Sequence, residues 1–171
     1  MNLFMVFDVE SVGLHGEGFA VAYVVIDKEK TIRDRGLFHC NYELALAASS
    51  EDKLWVEQNV LPYLPEPDPD LTPRDIRFRF FEKWLYWREQ GATLWADCGW
   101  PVEGRFLANC VSDNLPINYW SGPYPLQEIA TVRTMIGRDP IEPYELSEEQ
   151  RHNPLAECEY IAPLLVDWLS V

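Results

Sequence analysis

Phe4-Met5-Val6-Phe7-Asp8-Val9-Glu10-Ser11 sets two acids one residue apart at the end of an apolar run. Residues two apart on a strand point to one face, so Asp8 and Glu10 project together while their neighbours build core. Adjacent carboxylates repel and are costly to bury, and a divalent cation offsets that cost by taking both as oxygen ligands. The bare pattern also suits a strand end with two solvated acids. The choice between the two readings falls to the rest of the chain.

Near the C-terminus stands His152-Asn153-Pro154-Leu155-Ala156-Glu157. Pro154 fits the first turn of a helix that continues apolar through Ile161, Leu164, Leu165 and Trp168. Glu157 then lies about one turn inside that helix and His152 just before it, so both can reach one site. Between the two ends, Leu94-Trp95-Ala96-Asp97-Cys98-Gly99-Trp100-Pro101-Val102-Glu103-Gly104-Arg105-Phe106-Leu107 reads as a buried strand, a Gly/Pro turn and a helix starting near Glu103. It offers a third carboxylate from a helix N-terminus.

In this order and at these spacings, the three stretches resemble the DEDD superfamily of 3′→5′ exonucleases in its histidine-containing (DEDDh) branch, the ribonuclease T-like group. Asp8-Val9-Glu10 resembles that family's Asp-x-Glu strand, and Ser11-Val12-Gly13-Leu14 stands where the family tends to have a Thr-Thr-Gly-Leu-like turn. His152 and Glu157 resemble its His followed five residues later by an acid, here Glu for Asp. Glu103 matches the middle acid by its place before Phe106-Leu107, again Glu for Asp, with Asp97 as the rival. The resemblance spans residues 3 to 169. It implies an α/β, ribonuclease H-like fold with a central mixed sheet flanked by helices.

By the same resemblance, Asp8, Glu10, Glu103 and Glu157 hold two divalent ions, Mg²⁺ or Mn²⁺, and His152 is the general base. Ser11, Gly13 and Leu14 hold the terminal nucleotide, Leu14 as a wedge against its base, and Trp100 is a candidate for base stacking. The implied substrate is the 3′ end of single-stranded nucleic acid, shortened to nucleoside monophosphates. RNA is the first candidate, DNA stays open, and a homodimer is allowed. The competing reading is a relative that binds a nucleotide or a protein partner without cleaving.

The composition fits one domain over residues 1–171, with 47% hydrophobic residues for an ordinary core. No run approaches membrane-spanning length and the N-terminus carries no basic segment leading into an apolar stretch, so a cytoplasmic protein without membrane contact is expected. Cys40, Cys98, Cys110 and Cys158 are too widely spaced for a zinc knuckle and read as buried free thiols. A net charge of −14 excludes a protein that grips long nucleic acid through many phosphates. It leaves room for an enzyme that holds only the last few nucleotides.

Leu3 to Asp8, Phe19 to Ile26 and Thr31 to Cys40 read as three strands of an antiparallel meander, with Asp27-Lys28-Glu29-Lys30 as a turn. Leu44 to Ala48 suggests a helical turn, and Ser50 opens a helix. Pro62 to Asp70 is too rich in proline for regular structure and reads as a surface excursion. Thr72 and Pro73 start a helix whose Arg74, Arg77, Arg79, Lys83 and Arg88 stand against Asp75 and Glu82. This basic face serves either as a track for phosphates or a partner, or as a solvated face balancing local acids. Pro125 to Gly137 reads as another helix, followed by an acidic loop from Pro140 to Gln150. Most of the seven tryptophans are expected in the core, and His15 and His39 in structural or surface roles.

Overall fold

The computed structural model describes residues 3–147 and 149–170. Strands β1 (Leu3–Ser11), β2 (Gly18–Asp27) and β3 (Ile32–His39) form the expected antiparallel meander. The turn between β2 and β3 is organised by Asp27, whose carboxylate accepts the N–H of Thr31 at 2.8 Å and of Glu29 at 3.0 Å. The same carboxylate takes Nε of Arg33 at 2.7 Å, and these donors, Thr31 first, hold it below the usual carboxylate range. Strand β4 (Ala92–Ala96) pairs parallel to β1, and the short β5 (Gln127–Glu128) pairs parallel to β4. The mixed sheet therefore has the order β3-β2-β1-β4-β5, with β1 at its centre.

Among the described residues six α-helices accompany it: α1 (Ser50–Asn59), α2 (Pro73–Glu89), α3 (Val102–Ser112), α4 (Leu115–Asn118), α5 (Ile129–Met135) and α6 (Pro154–Trp168). α2 starts where the sequence predicts, Thr72 and Asp75 forming a capping box ahead of Pro73. Its Ile76, Phe80, Phe81 and Trp84 bury against one sheet face together with Phe106 and Leu107 of α3. The rings of Phe7 and Phe80 lie 5.2 Å apart and those of Phe80 and Phe106 5.5 Å apart. On the other face, Cys158, Ile161, Ala162 and Leu165 of α6 pack with Val6, Ala22, Val24 and Trp95.

Strand alternation decides what this packing does to the acids. Met5, Phe7 and Val9 of β1 belong to the α2/α3 side, whereas Val6, and with it Asp8 and Glu10, belongs to the α6 side. The helix that carries Glu157 is thus the one laid over the face from which Asp8 and Glu10 project.

Several expectations need correction. β1 continues past Asp8 to Ser11, because Asp8, Val9 and Glu10 still pair with Ala22, Val21 and Ala20 of β2 before a bulge at Glu10/Ser11. Pro125 to Gly137 is not one helix: Gln127 and Glu128 pair with Trp95 and Ala96, so the segment adds an edge strand before α5 begins. The helical turn expected at Leu44 to Ala48 is a single 3-10 turn over Tyr42–Leu44, placed earlier by the Asn41 cap. The loop from Pro140 to Gln150 is irregular where described, and Glu148 lies outside the described residues. α4 has no counterpart in the sequence reading.

The basic face of α2 is largely neutralised within the fold. Arg77 pairs with Glu17 and Asp113, Lys83 with Asp34 and, more loosely, Arg79 with Asp68. Of the cysteines only Cys98 departs from expectation, being exposed. Among the tryptophans only Trp84 and Trp95 are buried, while Trp55, Trp100 and Trp120 are exposed. His39 is buried, its Nδ1 3.0 Å from the Pro65 carbonyl, which ties β3 to the proline-rich excursion.

Candidate active site

The site forms where the C-terminal ends of β1 and β4 meet the starts of α3 and α6. Beyond β1 the chain turns through Ser11 to Glu17, closed by Val12 N–H to the Glu17 carbonyl at 3.1 Å and Gly16 N–H to that of Gly13 at 3.0 Å. The Ser11 hydroxyl donates to the Gly13 carbonyl at 2.9 Å, so its described role is to shape this turn. Gly13 has φ +84°, and a Cβ there would sit 2.4 Å from Cγ of Asp52 on α1. The left-handed backbone favours glycine here, and any Cβ would also displace the Asp52 carboxylate. Leu14 projects from the turn, 66% exposed.

At the other end, Asn153 caps α6 by accepting the Ala156 N–H at 3.2 Å and donates to the Tyr63 carbonyl at 3.1 Å. Glu157, in the first turn, reaches back to accept the His152 N–H at 2.8 Å. This contact fixes His152 in a left-handed conformation with φ +59°. Its Nδ1 lies 3.9 Å from Oε1 of Glu10. The five-residue spacing thus places an imidazole and a carboxylate from one loop and helix start beside a strand carboxylate. Among the described residues, one ligand atom each from Glu10, His152 and Glu157 lie within 4.8 Å of one another.

The remaining acids close the cluster. Burial pushes the Asp8 carboxyl well above its ordinary value, and the charges of Glu157, Glu10, Glu103 and Asp97 add to the push. Glu10 is raised by burial and then by Glu157 and Glu103. Glu103 rises to about 7, again chiefly through burial, with Asp97 and Glu157 adding repulsion. Glu157 is raised by burial, partly offset by the His152 N–H. Burial and mutual repulsion favour the protonated form of these carboxyls, a cost that a bound divalent cation would offset. An oxygen-rich donor set of this charge fits a hard divalent cation.

The two rivals for the middle acid have different surroundings. Asp97 accepts the Tyr144 hydroxyl, and Tyr144 in turn stacks under the Arg133 guanidinium, 4.8 Å from the ring centre. Glu103 joins no ion pair among the described residues and is pushed up by the charges of Asp97 and Glu157, whereas no carboxylate adds to the rise of Asp97. His152 is lowered from its ordinary value by burial and by the neighbouring Arg151, so its imidazole is neutral near pH 7 and able to accept a proton.

Trp100 lies beside the cluster, 68% exposed, its ring over Gly104 of α3. Sequence reasoning missed Trp55, whose ring meets the His152 ring edge-on at 5.1 Å and 87°. Its apolar neighbours on α1 gave no hint that it faces the distant His152 loop. Tyr144 was likewise passed over inside an acidic loop.

No protein-family model and no curated protein matches this chain. Among solved structures it is similar to Escherichia coli exonuclease I, determined in complex with a dT13 oligonucleotide. The TM-score is 0.60 at 12% sequence identity, over 97% of this chain and 41% of that chain. The fold is ribonuclease H-like. The α/β expectation with a central mixed sheet between helices is met, and the chain spans about two fifths of the length of exonuclease I. No helix among the described residues is long and apolar enough to cross a membrane.

Proposed function

We propose that this chain is a single-domain, metal-dependent 3′→5′ exonuclease that shortens single-stranded nucleic acid, with RNA as first candidate. The observation that carries the reading is the convergence of Asp8, Glu10, Glu103 and Glu157, all raised by burial and mutual repulsion, with a neutral His152 at 3.9 Å from Glu10. Similarity of fold to a protein solved with a bound single strand adds to it.

Asp8, Glu10, Glu103 and Glu157 would hold two divalent ions, Mg²⁺ or Mn²⁺. When bound, such ions lower the pKa of a water and offset charge on the leaving oxygen. His152 accepts the proton of the attacking water, its ring steadied by Trp55 and its backbone by Glu157. The phosphodiester linking the last nucleotide is then cleaved, releasing a nucleoside monophosphate and a strand one residue shorter. Leu14, exposed at the tip of the Ser11–Gly13 turn, wedges against the terminal base, and Trp100 offers an open indole face for stacking.

The test is incubation of end-labelled single-stranded RNA and DNA oligomers with the protein in Mg²⁺, Mn²⁺ or chelator. Metal-dependent shortening from the 3′ end is expected, and strands left intact in every ion would refute the assignment.

A further inference from the structure

Beside the turn that carries Leu14, a cavity of about 370 Å³ opens between His15, Gly16 and Glu17 on one side and Arg105, Asn109 and Ser112 of α3 on the other. Arg105 stands two residues beyond Glu103, and His15 directly follows Leu14. The two side chains face one another, Nη2 of Arg105 lying 3.5 Å from Nδ1 of His15, the outer limit of a hydrogen bond.

Arg105 is under-used in this position. A guanidinium offers five N–H donors and no acceptor. Among the described residues Nε is buried without a hydrogen-bond partner, and the only side-chain hydrogen bond of Arg105 is the long one to His15. Among the described residues Arg105 joins no ion pair, although the chain has 28 acids for 14 Lys and Arg. The two carboxylates that border the cavity are already committed. Glu17 gives one oxygen to Arg77 and the other to the Leu46 N–H, and both oxygens of Asp113 accept from Arg77. The donors left facing the open space are those of Arg105 and His15. Asn109 and Ser112 add polar groups at its wall.

An oxyanion suits this arrangement, because it accepts from a guanidinium fork and a ring nitrogen at once and needs no donor of its own. Resting on the exonuclease reading, we infer that Arg105 and His15 receive a phosphate of the single strand upstream of the scissile linkage. The strand, its last nucleotide at the carboxylate cluster and its terminal base against Leu14, crosses the β1–β2 turn onto the Arg105 side of α3. A site for one upstream phosphate explains how a strongly acidic chain holds a polyanion without a general basic surface.

The experiment compares the parent with Arg105→Ala and His15→Ala on two substrates: a single-stranded oligomer and p-nitrophenyl thymidine 5′-phosphate, which carries one phosphate only. For the oligomer, KM should rise about tenfold in Arg105→Ala, with kcat held and the salt dependence of KM reduced by about one phosphate contact. The p-nitrophenyl ester should show no such rise. Oligomers with a neutral methylphosphonate placed at each upstream linkage in turn should lose affinity for the parent at one linkage and lose nothing further for Arg105→Ala. Competition by inorganic phosphate, equal in parent and variant, would exclude a free-phosphate site. His15→Ala, in an exposed turn, keeps the question answerable if Arg105→Ala folds poorly. Identical oligomer KM and identical methylphosphonate sensitivity in parent and variants, with hydrolysis intact, would overturn the phosphate site alone. Failure of the parent to cleave either substrate would overturn the exonuclease reading, and the phosphate site with it.

Discussion

At the scale of single residues, the carboxylate cluster makes opposite demands with and without a cation. Glu103 has a folded value of about 7 against 4.5 for a free glutamate, so without metal it contributes stability below pH 4.5 that is lost as pH rises through 7. Glu103→Gln should therefore be more stable than the parent in chelator at pH 8, by about 1 to 3 kcal/mol, with the gain vanishing near pH 4.5. Thermal melts across that range check it. In activity the order reverses. Glu103→Gln should cost orders of magnitude in rate, and Asp97→Asn far less, because the Asp97 carboxylate is already engaged by the Tyr144 hydroxyl. The opposite ranking would move the middle ligand to Asp97. For His152→Ala, turnover should fall while metal-dependent stabilisation persists, and the acidic limb of the pH–rate profile should flatten. That limb should lie below pH 6.5 in the parent because burial lowers the His152 value.

At the scale of elements, the strands and helix starts were open to sequence reading wherever local chemistry and burial agree. Alternation in Phe4 to Glu10 gave the strand face, and Thr72-Pro73 and Pro154 marked two helix starts that the structure keeps. Where contacts are remote, the sequence was silent. Gln127-Glu128 is a strand only because Trp95 and Ala96 lie beside it, and the cations of α2 looked free only because their partners Glu17, Asp34 and Asp113 lie elsewhere in the chain. Trp55 beside His152 belongs to the same class of contact. Arg77 is the sharpest instance, its side chain 8% exposed between Glu17 and Asp113. Arg77→Ala leaves two half-buried carboxylates unpaired and should destabilise the fold by about 3 kcal/mol, measurable by denaturant unfolding. Gly13→Ala, forcing a left-handed alanine against Asp52, should cost about 1 to 2 kcal/mol and disturb the Leu14 turn.

At the scale of the whole molecule, a ribonuclease H-like sheet brings acids from β1, α3 and α6 to one place, which is why residues 8, 10, 103 and 157 meet despite their separation. With a net charge of −14, the proposed binding of nucleic acid would depend on that place and its rim rather than on the surface at large. Short single strands should be shortened, blunt duplexes should resist, and closed circular single strands should be untouched, since the site is proposed to accept only a 3′ end. Cleavage of a circle on a gel would indicate an endonuclease. The most direct test of the central claim pairs a thermal melt with a digestion, using the parent and Asp8→Asn in Mg²⁺, Mn²⁺ and chelator with a 5′-labelled single strand. The account predicts a metal-dependent rise in melting temperature and a ladder of 3′-shortened products for the parent, both lost in Asp8→Asn. An equal metal response in the two proteins, or an intact strand with the parent in both ions, would contradict it.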